Sequence, residues 1–302
     1  MSERNVGVVG LGQMGRGIAR NLDRADILRC AHDLAGSLFA ETGLSAAVRN
    51  CPPGEMASLC DVILFVVPAS PQIEASLDGP DGVLAVAHPS QILVDLTTSY
   101  PADTIRLAER ARGAGRAYID CGMTGGAAGA AAGTLTLMAG GDADAMARAR
   151  PVLDAIAAKT FHVGGSGAGH TLKLLHNMVL HTTFLATCEG CLAAERAGLD
   201  LGAVIEVFNA GNARSFVSEV RFPKHILSRT FDGNSYVGTL AKDLGMAARY
   251  LAEIGAPAAY GPLTSRLLDE AVAQGLGRED FTRLYEHYEE LFAGGGGEEQ
   301  AS

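Results

Sequence analysis

One glycine-rich turn near the start of the chain constrains the fold more than any other feature. It reads Gly10-Leu11-Gly12-Gln13-Met14-Gly15, after an apolar run at residues 5–9 and before a helical pattern of apolar residues. In a G-x-G-x-x-G turn between a strand and a helix, the first glycine permits the tight turn and the second lets a pyrophosphate approach the backbone. The third lets the helix pack closely on the strand. The motif therefore predicts that these six residues bind a dinucleotide, with its phosphates at the N-terminus of the helix.

An acidic residue follows at the spacing expected for such a unit. A second predicted strand covers residues 27–31 and ends close to Asp33. A carboxylate in this place binds the ribose hydroxyls, and it would repel a 2′-phosphate. Because no arginine directly follows Asp33, the sequence favours NAD over NADP as the cofactor.

Strand and helix patterns continue to alternate up to residue 164, with predicted strands at 61–67, 92–95, 116–120, 134–139 and 160–163. Such alternation is typical of an α/β domain with a mostly parallel sheet, whose ligands gather at the carboxyl ends of the strands. Three residues lie at or just after the ends of two of these strands and are expected to line the nicotinamide side, although each could simply connect a strand to a helix. They are Val67, Pro68 and Thr98.

A long, mostly apolar helical pattern starts after a glycine-rich turn at residues 164–169 and ends at Gly198. Helical spacing places Lys173 and Asn177 one turn apart on the same face. A lysine within an apolar helix is costly to bury unless it has a partner or a function. The helix alone leaves two alternatives open, a functional lysine and a surface lysine on an amphipathic helix.

Beyond Gly198 the sequence contains helical patterns only, separated by short turns rich in Gly, Asn and Pro. We therefore predict an α/β fold with an N-terminal Rossmann-type dinucleotide-binding domain at residues 1–164. Residues 165–293 are predicted to form a long interdomain helix and an all-α domain for substrate binding and dimerisation. Residues 294–302 are predicted to be a disordered tail.

Charge and cysteine content narrow the classes of function. The formal net charge is −10 and the isoelectric point is near 5.3, which argues against nucleic acid or an anionic membrane as a partner. The six cysteines show no framework spacing, and Cys188 and Cys191 form an isolated C-x-x-C. We interpret them as reduced thiols in a cytoplasmic protein, and no metal is expected.

Four stretches resemble motifs of the β-hydroxyacid dehydrogenase family and occur in the same order. They are GLGQMGRGIARNL at 10–22, CGMTGGAAGAAAGTLTLMAGG at 121–141, GAGHTLKLLHN at 167–177 and AKDL at 241–244. The resemblance extends from about residue 5 to residue 292. The family includes 3-hydroxyisobutyrate dehydrogenase and tartronate semialdehyde reductase, so the resemblance implies hydride transfer between NAD and a small β-hydroxy acid or semialdehyde.

The resemblance also implies roles for individual residues. Lys173 would be the catalytic acid and base, and Asn177 would help to hold the substrate. The stretch Thr124-Gly125-Gly126 corresponds to the family's Ser-Gly-Gly carboxylate site. Lys242 would reach from the helical domain towards the cofactor, with Asp243 orienting it. In the N-terminal domain the glycines of the turn and Asp33 would bind the dinucleotide, and Thr98 would lie near its nicotinamide ribose.

The chain departs from the family pattern at three places. Thr124 replaces the usual serine, and Cys121-Gly122-Met123 replaces the common Ala-Pro-Val before it. The spacing of Lys173, His176 and Asn177 is closer to 6-phosphogluconate dehydrogenase, which places a glutamate one turn later for its decarboxylation. Residues 178–181 contain no acid, so decarboxylation is disfavoured.

Several alternatives remain open at this point. The same scaffold supports imine reductases and other NADP-linked reductases, although imine reductases generally lack the lysine. A non-catalytic, dinucleotide-sensing protein is a further alternative. The resemblance implies a homodimer or homotetramer. Arg214 and Arg221 lie in a polar stretch that would suit a second anionic group of the substrate or, equally, a solvated helix face.

Overall fold

The computed structural model describes residues 5–292, and its chain divides into two compact units after Lys173. The first unit is an α/β domain and the second is helical. This confirms the predicted fold class. The predicted domain bounds, 1–164 and 165–293, stay a prediction, and the predicted tail at 294–302 lies outside the described residues.

Eight strands in the described part of the first unit form one sheet. They are β1 (Val6–Val9), β2 (Leu28–His32), β3 (Arg49–Asn50), β4 (Val62–Phe65), β5 (Ile92–Asp95), β6 (Ala117–Thr124), β7 (Leu135–Gly141) and β8 (Ala157–Gly164). Their order is β3-β2-β1-β4-β5-β6-β7-β8, and every pair is parallel except β6 with β7. Strands β1, β4 and β5 are buried along their whole length, as expected for central strands covered by helices on both faces.

The helices of the first unit connect these strands. They are α1 (Gln13–Arg24), α2 (Gly36–Glu41), α3 (Pro53–Leu59), α4 (Ser70–Leu77), α5 (Pro101–Gly113), α6 (Gly126–Ala132) and α7 (Ala143–Asp154). Helix α5 illustrates why these segments are helical. It begins with a proline at its first position and an aspartate in its first turn, and ends with two arginines, all of which suit the helix dipole.

The stretch after Asp120 differs from the sequence-based prediction. The strand predicted to end at Asp120 continues to Thr124 because β7 pairs with it in the antiparallel direction, with Thr124 opposite Thr136. The small residues that follow form α6. Thr124 therefore lies at the end of a strand, where its position is set by the sheet.

Helix α8 (Ala168–Arg196) begins in the first unit and continues into the second. The other helices of the second unit are α9 (Leu201–Ala210), a π-helix (Val217–Leu227), α10 (Val237–Glu253), α11 (Tyr260–Ala273) and α12 (Leu284–Phe292). Their apolar faces pack around Phe184, Phe222 and Phe281. Between residues 5 and 292 no helix combines the length and the apolar character needed to cross a membrane.

Candidate functional site

The glycine turn has the backbone geometry that a dinucleotide site needs. Gly10 has a φ of +97°, and a Cβ there would lie 2.2 Å from the Val66 carbonyl oxygen. A Cβ on Gly15 would lie 1.9 Å from the Gly10 carbonyl oxygen, so this glycine permits close packing of α1. A Cβ on Gly12 would have nothing within 4 Å. The space in front of Gly12 is therefore open to a phosphate, and the N–H groups of the first turn of α1, which have no partner within the helix, can donate to its oxygens.

Asp33 lies at the end of β2 and hydrogen-bonds to the glycine turn. Its Oδ2 accepts from the Leu11 N–H at 2.7 Å, and its Oδ1 accepts from the Ala35 N–H at 2.9 Å. The Leu11 donor is therefore already used within the protein, which leaves Gln13 and Met14 at the start of α1 to face a phosphate. Each carboxylate oxygen can accept a second hydrogen bond, so Asp33 retains capacity for ribose hydroxyls.

The predicted nicotinamide-side residues lie at the same edge of the sheet. Val67 is half-buried beside the turn, since a Cβ on Gly10 would be 3.1 Å from its Cγ1. Pro68 is exposed, and Thr98 is half-buried after β5. The hydroxyls of the neighbouring Thr97 and Ser99 are buried and make no hydrogen bond in the described part of the chain. Buried polar groups of this kind normally have a partner, so this edge of the sheet fits a polar cofactor.

The predicted carboxylate site Thr124-Gly125-Gly126 forms the turn from β6 into α6. Gly125 and Gly126 have φ values of +122° and +63°, which side chains other than glycine rarely adopt. Thr124 is half-buried, both glycines are exposed, and a Cβ on Gly126 would have nothing within 4 Å. This turn therefore offers a hydroxyl and accessible backbone in one place, as an anion site requires.

Asp120 on β6 fixes the start of the helix that carries Lys173. The Asp120 carboxylate is fully buried and accepts from the backbone N–H groups of Gly167 and His170, at 2.7 and 2.9 Å. Backbone N–H groups at the start of a helix have no partner within the helix, so the Asp120 carboxylate satisfies two such donors at the start of α8. The start of α8 also packs closely on the sheet. A Cβ on Gly169 would lie only 2.4 Å from the Met138 carbonyl oxygen, so the absence of a side chain there permits this packing.

A buried polar network also contacts the first turn of α8, through His170. His170 Nδ1 and Thr104 Oγ1 are 2.7 Å apart, and His170 Nε2 is 3.9 Å from Asp95 Oδ1. The Tyr118 hydroxyl donates to Asp95 Oδ2 at 2.8 Å. Burial and the adjacent Asp95 raise the pKa of Tyr118 well above its ordinary value, so this hydroxyl keeps its proton and its hydrogen bond. His170 thus has a structural partner in Thr104.

Lys173 is half-buried and packs against a glycine of β6. A Cβ on Gly122 would lie 2.4 Å from Lys173 Cβ and 3.0 Å from the Gly169 carbonyl oxygen. The glycine that replaces the family's proline therefore permits the approach of α8 to β6. Because Gly122 precedes Thr124 by two residues on the same strand, this contact also relates the lysine to the predicted carboxylate site.

We expect Gly122→Ala to lower kcat about 10- to 100-fold, because a displacement of Lys173 by about 1 Å is enough for such a loss. Affinity for the dinucleotide should change little, since two strands, β4 and β5, lie between β6 and β1, the strand that the glycine turn follows. Steady-state kinetics and equilibrium binding of NAD measure the two effects. Gly113→Ala is the matched control, because a Cβ there meets nothing within 4 Å. Equal kinetics of the two variants would contradict the inference.

Asn177 is buried on α8, one turn after Lys173, and is held at both ends of its amide. Its Nδ2 donates to Asp243 Oδ2 at 2.7 Å, and its Oδ1 lies 3.1 Å from His176 Nδ1. The other oxygen of Asp243 is 3.3 Å from Lys242 Nζ. Asp243 was expected to orient Lys242. The structure adds that it also holds Asn177, and so links α8 to α10.

All six cysteines are free and buried, in agreement with reduced thiols. Within residues 5–292 no group of three or more His, Cys, Asp or Glu side chains is arranged to hold a metal ion. The roles of Lys173, Asn177 and the Thr124 turn stay predictions, while their positions are now known.

Two family models match consecutive parts of the chain. The model of the NAD binding domain of 6-phosphogluconate dehydrogenase matches residues 5–164. The model described as NAD-binding of NADP-dependent 3-hydroxyisobutyrate dehydrogenase matches residues 167–288. L-threonate dehydrogenase of Cupriavidus necator is 33% identical over 92% of this chain and 93% of its own length. The chain belongs to the β-hydroxyacid dehydrogenase family. It is thus an oxidoreductase that acts on a CH–OH group with a nicotinamide dinucleotide.

Further relatives of this dehydrogenase agree with the assignment. 2-(Hydroxymethyl)glutarate dehydrogenase of Eubacterium barkeri is 29% identical over 95% of both chains. The structure of the Mycobacterium tuberculosis 3-hydroxyisobutyrate dehydrogenase with L-serine has a TM-score of 0.85 and 28% identity, and the match covers 94% of this chain and 99% of that one. The similarity therefore includes both the nucleotide-binding and the helical parts.

Proposed function

We propose that this dehydrogenase uses NAD to oxidise a small β-hydroxy acid to the corresponding semialdehyde, and catalyses the reverse reduction. The observation that carries the proposal is the position of Lys173 on α8, packed on Gly122 of the strand that ends in Thr124. A proton-transferring amine and a carboxylate site are thereby fixed relative to each other. The relatives named for 2-(hydroxymethyl)glutarate and L-threonate act on hydroxy acids, which supports this substrate class.

In the proposed mechanism the backbone and hydroxyl of the Thr124-Gly125-Gly126 turn bind the substrate carboxylate. Lys173 in its neutral form accepts the hydroxyl proton during oxidation, and its ammonium form returns a proton in the reduction. Asn177 orients the reacting end, since Asp243 and His176 fix its amide. The dinucleotide, bound at the glycine turn, supplies the hydride acceptor. Lys242 is proposed to contribute to cofactor binding.

The preference for NAD rests on Asp33. Its carboxylate lies at the glycine turn, and a negative charge there would repel the 2′-phosphate of NADP. The residue after it, Leu34, has a side chain that is 92% exposed and carries no charge to attract a phosphate. The homo-oligomeric state and the cytoplasmic location inferred from the sequence stay predictions.

The test is a spectrophotometric assay of nicotinamide reduction with purified protein, NAD or NADP, and a panel of hydroxy acids. The panel holds 3-hydroxyisobutyrate, serine, glycerate, 3-hydroxypropionate, 4-hydroxybutyrate and sulfonated analogues. We expect turnover with NAD on at least one β-hydroxy acid, and slower turnover when the hydroxyl-bearing carbon carries deuterium. Tight NAD binding without turnover on any of them would favour the non-catalytic alternative. Turnover of cyclic imines alone would favour imine reduction.

A further inference from the structure

Arg221 lies in the π-helix (Val217–Leu227) of the helical unit, with its guanidinium between two aromatic rings. Its Cζ atom is 5.2 Å from the ring centroid of Phe216 and 5.2 Å from that of Phe281. Cation–π attraction at this range holds the guanidinium plane in place. π-Helix is rare and frequently marks functional sites, so this arginine is a candidate for a binding role.

The hydrogen-bonding capacity of Arg221 is mostly unused. A guanidinium has five N–H donors, yet in the described chain the one hydrogen bond of Arg221 runs from Nη1 to the Gly233 carbonyl oxygen, at 3.5 Å. Asp280 is the nearby acid, but its carboxylate accepts from the N–H groups of Asn234 and Thr282 and from the Thr282 hydroxyl. Burial lowers the pKa of Arg221, and Asp280 offsets this only in part. An added anion would stabilise such a cation.

A series of contacts within the helical unit connects Arg221 to Asn177. His181 follows Asn177 by one turn of α8, so the two buried side chains share a face. The His181 ring lies edge-on to Phe281, with 6.5 Å between the ring centroids. Phe281 is also one of the two rings beside Arg221. Arg221 is thus connected to Asn177 within the helical unit by contacts through His181 and Phe281.

We propose that Arg221 binds a second, distal carboxylate of the substrate, so that the enzyme acts on β-hydroxy acids with two acidic ends. The inference rests on the function proposed above. The planar guanidinium fork pairs with both oxygens of a carboxylate, which explains an arginine held between rings with its donors unused. Arg214, the other arginine of this stretch, is 63% exposed and pairs with Glu219 at 2.7 Å, and it takes no part.

The experiment compares β-hydroxy acids whose tails end in a carboxylate with analogues of equal length whose tails end in a neutral carboxamide. For the wild type we expect kcat/KM to be about 10- to 100-fold higher for the carboxylate at one tail length. Arg221→Gln should abolish this preference, chiefly through KM. Arg221→Lys, which keeps the charge without the fork, should restore part of it. Arg214→Gln is the matched control and should keep the full preference.

The preference is a ratio measured on one protein sample, so a loss of folded protein in a variant lowers both rates equally and leaves it unchanged. A wild type without the preference, or an Arg221→Gln variant that retains it, would overturn the inference. If no hydroxy acid is turned over, the proposed function fails by itself. Calorimetric titration of the NAD complex with glutarate and with its monoamide then decides about Arg221. Tighter binding of glutarate that is lost in Arg221→Gln supports the anion site, and equal binding of both rejects it.

Discussion

Replacement of Lys173 by alanine is expected to lower kcat by about 10²- to 10⁴-fold, the range that a single acid–base group contributes. The variant loses the amine that accepts the hydroxyl proton, while the carboxylate turn at Thr124 and the glycine turn stay intact. Affinity for NAD should therefore remain close to that of the wild type. Steady-state rates on the preferred hydroxy acid and calorimetric binding of NAD separate these two effects.

Two controls make the result specific to the amine. Lys159 is an exposed lysine on β8, and Lys159→Ala should behave as the wild type. Ethylamine added to Lys173→Ala should restore part of kcat, because a small free amine can enter the space of the missing side chain and accept the proton. A Lys173→Ala variant that keeps most of its kcat would show that another group transfers the proton. Loss of NAD binding would instead assign Lys173 a structural role.

The backbone geometry of the glycine turn was predictable from the sequence because its causes are local. The tight turn at Gly10, the open approach at Gly12 and the close packing at Gly15 follow from residues only a few positions apart, and the structure has all three. The change from alternating strands to helices alone was visible in the same way, from the periodicity of apolar residues. The fold class could therefore be predicted before the structure was known.

The side chains of the candidate site are positioned by contacts between residues that are distant in sequence. These contacts could not be predicted. The hydrogen bond from Asn177 to Asp243 joins residues 66 positions apart. The sequence did show a glycine at position 122 where the family has proline. It did not show that α8 approaches β6 at this point, so the contact between Gly122 and Lys173 could not be predicted. Strand β6 likewise continues beyond Asp120 only because β7 pairs with it. A single sequence does not specify such partners.

The choice between NAD and NADP should depend on Asp33. Asp33→Asn keeps the shape of the side chain but replaces one acceptor oxygen by a donor, which weakens the bonds to Leu11 and Ala35 as well as to the ribose. We expect kcat/KM with NAD to fall about 10- to 100-fold, in line with the loss of a charge-assisted hydrogen bond. With NADP it should rise, because the repulsion of the 2′-phosphate is removed. The separate kcat/KM values with NAD and with NADP report the two changes, and their ratio reports the cofactor preference.

Leu34 offers the matched variant, since its side chain is almost fully exposed directly after Asp33. Leu34→Arg alone places a guanidinium beside the retained carboxylate, whose negative charge still opposes a 2′-phosphate, so we expect only a small gain with NADP. Combined with Asp33→Asn, the same arginine can pair with the phosphate, and NADP should become the better cofactor. If Leu34→Arg by itself reverses the preference, the carboxylate is not the group that excludes NADP. If Asp33→Asn leaves the ratio unchanged, the role of Asp33 is confined to holding the glycine turn through Leu11.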